Sequence, residues 1–329
     1  MFKFIVKRVL LSLLILFFVM FIVYTLMYSL PTSYMEKTAR EMASRPGNLK
    51  SYQDWLNELN AQYGMDKGLI PGFFTWLGSA VTGNFGDSWY WTKPVTTMFS
   101  ESIWYSFILN VIALVIPVSV AIPLGVLAAR KQYSITDYSV TVFALIGISL
   151  PSFFLATILK MVFGIKLGWF ETSGMQSRDY VTLDAFGKVL DLAWHMVLPA
   201  ANLCILSIGD LMRYTRTNML EVLNADYIRT ARAKGLAESK VINRHAFRNT
   251  LIPIVTMMGG WLAGLFGGSL ITETLFGIRG IGFVSYNSMI NGDIPFTMFY
   301  LAFSALLTMI GTLLSDILYA VVDPRVRIN

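Results

Sequence analysis

Six stretches of this chain carry no Lys, Arg, Asp or Glu over a length that meets or approaches a bilayer crossing: 9–30, 102–129, 138–159, 192–209, 249–272 and 294–315. A helix needs roughly 20 predominantly apolar residues to cross the hydrocarbon core. Few soluble folds can hold so many such stretches. Composition agrees, with 55% hydrophobic and only 14% charged residues, whereas soluble domains carry about a quarter charged. The reading is an all-α membrane protein with six transmembrane helices. The first stretch is too long for a signal-peptide core and ends in "MYSLPTSYM", without an A-x-A-like cleavage pattern, so it is expected to be retained.

Loop charge sets the expected orientation. Lys3, Lys7 and Arg8 precede the first span. Residues 31–101 hold six basic and seven acidic side chains, giving −1. The loop 130–137 sums to +1, the loop 166–191 to −1, and the loop 213–248, with eight Lys/Arg against three acids, to +5. Asp323, Arg325 and Arg327 give the tail +1. The alternation follows the positive-inside rule and puts both termini in the cytoplasm. The net charge of +6 therefore reflects membrane topology rather than a nucleic-acid partner. The expected domains are a helix over 1–30, an extracytoplasmic aromatic-rich segment over 31–101, a core over 102–322 containing the cytoplasmic loop 213–248, and a tail over 323–329. The aromatic segment has two readings: short amphipathic helices lying on the membrane or over the bundle, or a loop with its rings at headgroup level.

Chemistry-bearing motifs do not occur. No G-x-x-x-x-G-K-[ST], H-E-x-x-H or G-x-S-x-G is present, and Lys188 in "DAFGKVL" lacks the rest of a phosphate loop. Cys204, the single cysteine, reads as a small buried hydrophobe. His195 reads as an interfacial or packing residue. Lys160, Asp210 and Asp316 stand near span ends, where structural placement is favoured over an ion relay, and Lys160 can snorkel outward. Pro117, Pro123 and Pro151 allow kinks. Gly260, Gly264 and Gly268 form two overlapping G-x-x-x-G repeats and predict close packing against a helix of this chain or of a partner.

The loop 213–248 is the most informative segment. From 211 to 233 it lacks Gly and Pro and predicts one helix leaving the membrane. Ala225, Ile228 and Ala231 recur at helical spacing as a small apolar strip, with Arg229 and Arg232 beside it. Gly235 is the expected C-cap. A second helix should begin near Ala237, with Glu238 in its first turn, and run through Arg248 into the membrane. Such a projecting helix can dock in a groove of another protein; a basic loop produced only by membrane orientation is the alternative.

The arrangement resembles the cytoplasmic loop of permease subunits of ABC importers, whose signature is E-A-A-x-x-x-G followed after nine residues by I-x-L-P. Gly235 and Ala231 match, while Arg229 and Thr230 stand for the Glu and first Ala, and His245 and Arg248 for the Ile and Pro. "DYIRTARAKGL", "HAFRNTLIPIVT", "YGMDKGLIPGFFTWLGSAVTGNFGDS" and "TETLFGIRGIG", with Arg279 at a proline position, are similar to the oligopeptide/dipeptide/nickel subfamily. The resemblance implies a type I importer permease fold, one N-terminal helix plus a five-helix core, in a bacterial or archaeal plasma membrane. It implies a coupling loop around Ala225–Val241, Leu236 included, in which Ala231 and Gly235 allow close docking and Arg229, Arg232 and Lys234 help to fix orientation. It further implies a second permease, two cytoplasmic ATPases that bind ATP and Mg, an extracytoplasmic binding protein, and no enzyme activity or cofactor on this chain. Peptides are the expected cargo, with nickel or oligosaccharide as alternatives. An ion-coupled carrier would want mid-membrane acids and inverted repeats, and neither is evident.

Overall fold

The computed structural model describes residues 2–29, 34–62 and 65–322. The expectations for residues 30–33, for Tyr63 and Gly64 and for the tail 323–329 lie outside them. The helices are α1 (Phe2–Tyr28), α2 (Tyr34–Ala43), α3 (Tyr52–Gln62), α4 (Leu69–Val81), α5 (Val95–Arg130), α6 (Ile135–Ser149), α7 (Ser152–Leu159), α8 (Ala185–Leu223), α9 (Asp226–Ala233), α10 (Glu238–Lys240), α11 (Phe247–Gly267), α12 (Leu270–Phe276), α13 (Ile281–Ile290) and α14 (Ile294–Val322). Among the described residues, five helical runs are long and apolar enough to cross a membrane, and a sixth crossing follows if the bent pair α6–α7 is one span.

That bend is 103° and has a local cause. Pro151 has no N–H to continue a helix, and its ring pushes the preceding residue towards extended backbone. Leu150 accordingly takes φ −83° and ψ 126°. Pro117 and Pro123, by contrast, stay inside the continuous 36-residue α5. The expected fifth span is also shorter than its uncharged stretch. It stops at Gly267, Gly268 adopts φ +76°, and α12 starts afresh at Leu270.

The chain divides into two compact units, Met1–Trp104 with Val284–Met309, and Tyr105–Phe283 with Ile310–Asn329. The first unit has a core of Met20, Tyr24, Met27, Met35, Phe73 and Met298. Its loop 84–94 is pinned by one carboxylate. Asp293, fully buried, accepts hydrogen bonds from the Ser88 hydroxyl, from the Trp89 N–H (3.1 Å) and from the Phe296 N–H (3.4 Å). The last of these caps α14. Burial pushes the Asp293 carboxyl above its usual range, against the opposing pull of these donors.

In the second unit the tightest helix crossings use glycines. A Cβ on Gly147 would lie 3.0 Å from the Ile205 carbonyl, and one on Gly209 2.9 Å from the Ala144 carbonyl, so α6 and α8 meet backbone to backbone. A Cβ on Gly259 would lie 2.4 Å from the Ser315 N and 2.7 Å from the Gly311 O, which places α11 equally close to α14. The G-x-x-x-G expectation left the approaching helix open, in this chain or in a partner. Gly260 and Gly264 have open space where a Cβ would go, and of the three expected glycines only Gly268 makes a close approach, to Gly282. The α11–α14 contact falls on the neighbouring face, which carries Gly259.

Candidate functional site

The loop after α8 is where the sequence expectation and the structure differ most usefully. The single helix expected over 211–233 breaks at Asn224, whose side-chain amide donates to the Leu220 carbonyl at 2.9 Å. Ala225 then turns extended, with φ −70° and ψ 148°. The break lets α9 fold back onto the protein. Ile228 (0% exposed) and Ala231 (7%) are buried against Ala129, Met219, Val241, Ile242 and Ala246. Burying an isoleucine side chain contributes about 2–3 kcal/mol, which accounts for the fold-back.

Within the strip of Ala225, Ile228 and Ala231, the last two therefore face this chain's own core. Ile228 and Ala231 attach the helix to its own chain, Ala225 is partly buried, and Leu236 packs against the same cluster. The surface left free carries Tyr227, Arg229, Thr230, Arg232, Ala233, Lys234 and Gly235. Gly235 turns the chain at φ +76° with open space around its Cβ position. Its glycine identity answers a backbone need, not a close contact within this chain.

An ion pair unforeseen in the sequence closes the turn. Arg232 donates through Nε (3.1 Å) and a terminal nitrogen (2.7 Å) to the two carboxylate oxygens of Glu238. The pair raises the guanidinium pKa further above its already high value. Planar bidentate geometry of this kind fixes orientation as well as distance. A second fork, Arg216 on Asp137, ties α8 to the start of α6, with the Tyr133 N–H adding a bond of 3.0 Å to the same carboxylate. Asp137 is buried, 2% exposed.

Between α5, α8 and α11 lies a cavity of about 770 Å³. Its walls mix Leu and Met with Asn110, Asp210, Arg213, Tyr214 and Trp261, and Gly264 on the unpacked face of α11 lines it. Asp210, expected as a structural residue at a span end, faces this space. A cavity of this size and mixed lining suits a flexible solute with both apolar and polar groups.

One end of this unit is organised by Glu273, which the sequence reading passed over. It is fully buried and accepts from the Ser106 hydroxyl (2.7 Å), the Ser269 N–H (2.8 Å) and the Phe283 N–H (2.8 Å). Ser106 in turn accepts from the Ile281 N–H at 2.7 Å. These bonds shape the "GIRGIG" turn. The available signal was a lone acid inside an otherwise apolar run, a pattern that asks for a partner by default. Lys160, expected to be able to snorkel outward, turns to α12. Its ammonium donates to the Leu275 carbonyl at the end of α12 and lies 5.5 Å from the Phe276 ring centroid, where a helix C-terminus favours a cation.

A polytopic helical protein with a large mixed cavity and an exposed basic helix held on its own core has the parts of a transport subunit. The chain belongs to the binding-protein-dependent transport system inner membrane components, whose family model matches residues 121–328, and the N-terminal model of the same systems matches residues 1–101. It is thus a multi-pass inner-membrane permease subunit of an ABC importer. Among its relatives are the oligopeptide transport system permease protein AppB of Bacillus subtilis, 38% identical over 81% of this chain and 83% of that protein, and the dipeptide transport system permease protein DppB of Lactococcus lactis, 34% identical over the full length of both.

Proposed function

We propose that this permease passes peptides inward, with both termini on the cytoplasmic side. The similarity of its whole length to a dipeptide permease carries this reading. The cavity between α5, α8 and α11 is then this chain's wall of the translocation path. A second permease subunit supplies the opposite wall, and an extracytoplasmic binding protein delivers cargo. Two cytoplasmic ATPases hold ATP and Mg.

The exposed face of α9, with Tyr227 and Arg229, and Lys234 just after it dock in an ATPase cleft. Movement of the ATPases reaches the spans because Ile228 and Ala231 bind α9 to α8 and to the 241–246 turn. The test is peptide uptake into vesicles by the co-purified complex, with Arg229→Glu as the variant. Arg229 is 71% exposed, so the substitution leaves the fold intact. The expected result is loss of ATPase co-purification and of uptake together. Full uptake by the variant overturns the docking assignment, and wild type that moves no peptide overturns the cargo.

A further inference from the structure

The segment between α1 and α5 was expected to be extracytoplasmic, as short amphipathic helices on the membrane or over the bundle, or as a loop with its rings at headgroup level. We propose that α4 lies inside it, as a non-spanning helix bedded in the acyl chains of the outer leaflet.

The depth follows from its partners. The crossing part of α1 runs Arg8–Tyr28, 21 residues, which at about 1.5 Å per residue matches the roughly 30 Å of hydrocarbon. Phe17 is nine residues beyond Arg8 and eleven short of Tyr28, near the middle of that length. The ring of Phe73, on α4, sits 5.7 Å from Phe17, 5.1 Å from Phe21 and 5.7 Å from Tyr24, and Phe74 reaches Phe17 at 6.5 Å. Gly72 lies so close to α1 that a Cβ there would meet the Tyr24 hydroxyl at 2.5 Å. With the N-terminus on the cytoplasmic side, as proposed above, α4 packs on the outer half of a membrane-crossing helix, below its aqueous end.

Helix α4 is built for that place. Its sequence, LIPGFFTWLGSAV, has no charged residue. At 13 residues it is about 20 Å long, too short to cross. A cavity of about 280 Å³ runs along it, from Lys67 before the helix past Thr75 and Ser79 to Asn84 and Asp87 after it. Several of its terminal backbone groups are satisfied locally, as lipid favours. Pro71 removes one N–H, and the Gly72 N–H bonds to the Gly68 carbonyl at 3.0 Å. At the other end, Ser79 O accepts from Thr82 N (3.1 Å) and Asn84 N (3.0 Å), and Ala80 O from Gly83 N (3.0 Å). Thr75 returns its hydroxyl to the Pro71 carbonyl at 2.8 Å.

The occupant of its outward face is lipid, by continuity with α1. Ile70, Phe74 and Val81 are 58%, 55% and 80% exposed and fall on one stripe of the helix, roughly 80° around from Phe73. Helix α1 exposes Leu14, Phe18 and Ile22 at 54%, 54% and 56%. Two apolar faces on helices in contact, at one depth, meet the same solvent.

Depth can be read with nitroxides on single cysteines, in a Cys204→Ser background of the full chain reconstituted with the partners it co-purifies with. Ile70→Cys, Phe74→Cys and Val81→Cys are labelled separately, so one misfolded variant leaves two readings. Phe18→Cys on α1 is the lipid reference, and Leu49→Cys, at a fully exposed position, the aqueous one. The expected result is a collision ratio of oxygen to a water-soluble nickel chelate that matches Phe18 and exceeds Leu49 several-fold. A ratio like that of Leu49 overturns the proposal in favour of an aqueous surface. Poor access to both quenchers overturns it in favour of a protein partner, such as the second permease.

Discussion

The guanidinium of Arg232 reaches across the turn at Gly235 and meets both carboxylate oxygens of Glu238, at 3.1 and 2.7 Å. Both side chains are about half exposed, so water and salt screen the pair. Arg232→Ala is expected to cost less than about 1 kcal/mol of stability. Its effect on coupling should be larger, because the fork sets the angle at which α9 is presented. Thermal unfolding in detergent should shift little, while peptide-stimulated ATP hydrolysis by the complex falls. An unchanged ATPase rate would show that the turn at Gly235 holds its shape without the pair.

Adjacent positions on α9 should separate fold from docking. Ile228→Ala empties a fully buried site and should destabilise by about 2–5 kcal/mol, seen as a lower Tm and lower membrane yield. Tyr227→Ala, at a position 48% exposed, should leave Tm unchanged and weaken ATPase capture. Equal Tm losses at both positions would mean that Tyr227 is packed rather than presented.

Glycine to alanine on α11 should divide by face. Gly259→Ala brings a Cβ against the Ser315 backbone and the Gly311 carbonyl, so α11 and α14 must separate and stability should fall by about 1–3 kcal/mol. Gly260→Ala and Gly264→Ala meet open space and should be neutral or gain up to about 1 kcal/mol of helix propensity. A loss of the second permease from the complex with Gly264→Ala, at unchanged Tm, would locate the partner on that face.

Removing the Glu273 carboxylate leaves the buried Ser269 and Phe283 N–H groups and the Ser106 hydroxyl without their acceptor. At about 1–3 kcal/mol per orphaned group, Glu273→Ala should lose at least about 3 kcal/mol. Glu273→Gln keeps one oxygen and should lose less. Thermal unfolding of the two purified variants decides, and equal Tm values would remove the assigned role.

Asp293 gives a pH signature. Its carboxyl is raised above the ordinary 3.8, so the folded protein holds this proton more tightly than the unfolded chain. The stability it contributes is fully present below pH 3.8 and is lost as pH rises through the raised value. Asp293→Asn does not titrate. The Tm difference, wild type minus variant, should therefore shrink from acid towards neutral pH. A flat difference would show that the carboxyl titrates alike in both states.

What was legible in the sequence was what depends on local composition and period. The uncharged stretches mark the crossings, Pro151 ends a helix by its own chemistry, and Gly235 caps one by its own backbone freedom. The basic loop 213–248 was legible because charge is not buried without a partner. Tertiary structure decided which side of each element meets protein. The strip of Ile228 and Ala231 looks the same whether it faces a partner or its own core, and only the break at Asn224, which lets α9 fold back, selects the core. The G-x-x-x-G repeats likewise announce a small surface without saying what approaches it, and the approach fell on Gly259. Glu273, Lys160 and the Arg232–Glu238 and Arg216–Asp137 forks were out of reach. Their partners lie 6 to 167 residues away, and only packing puts such groups within hydrogen-bond distance.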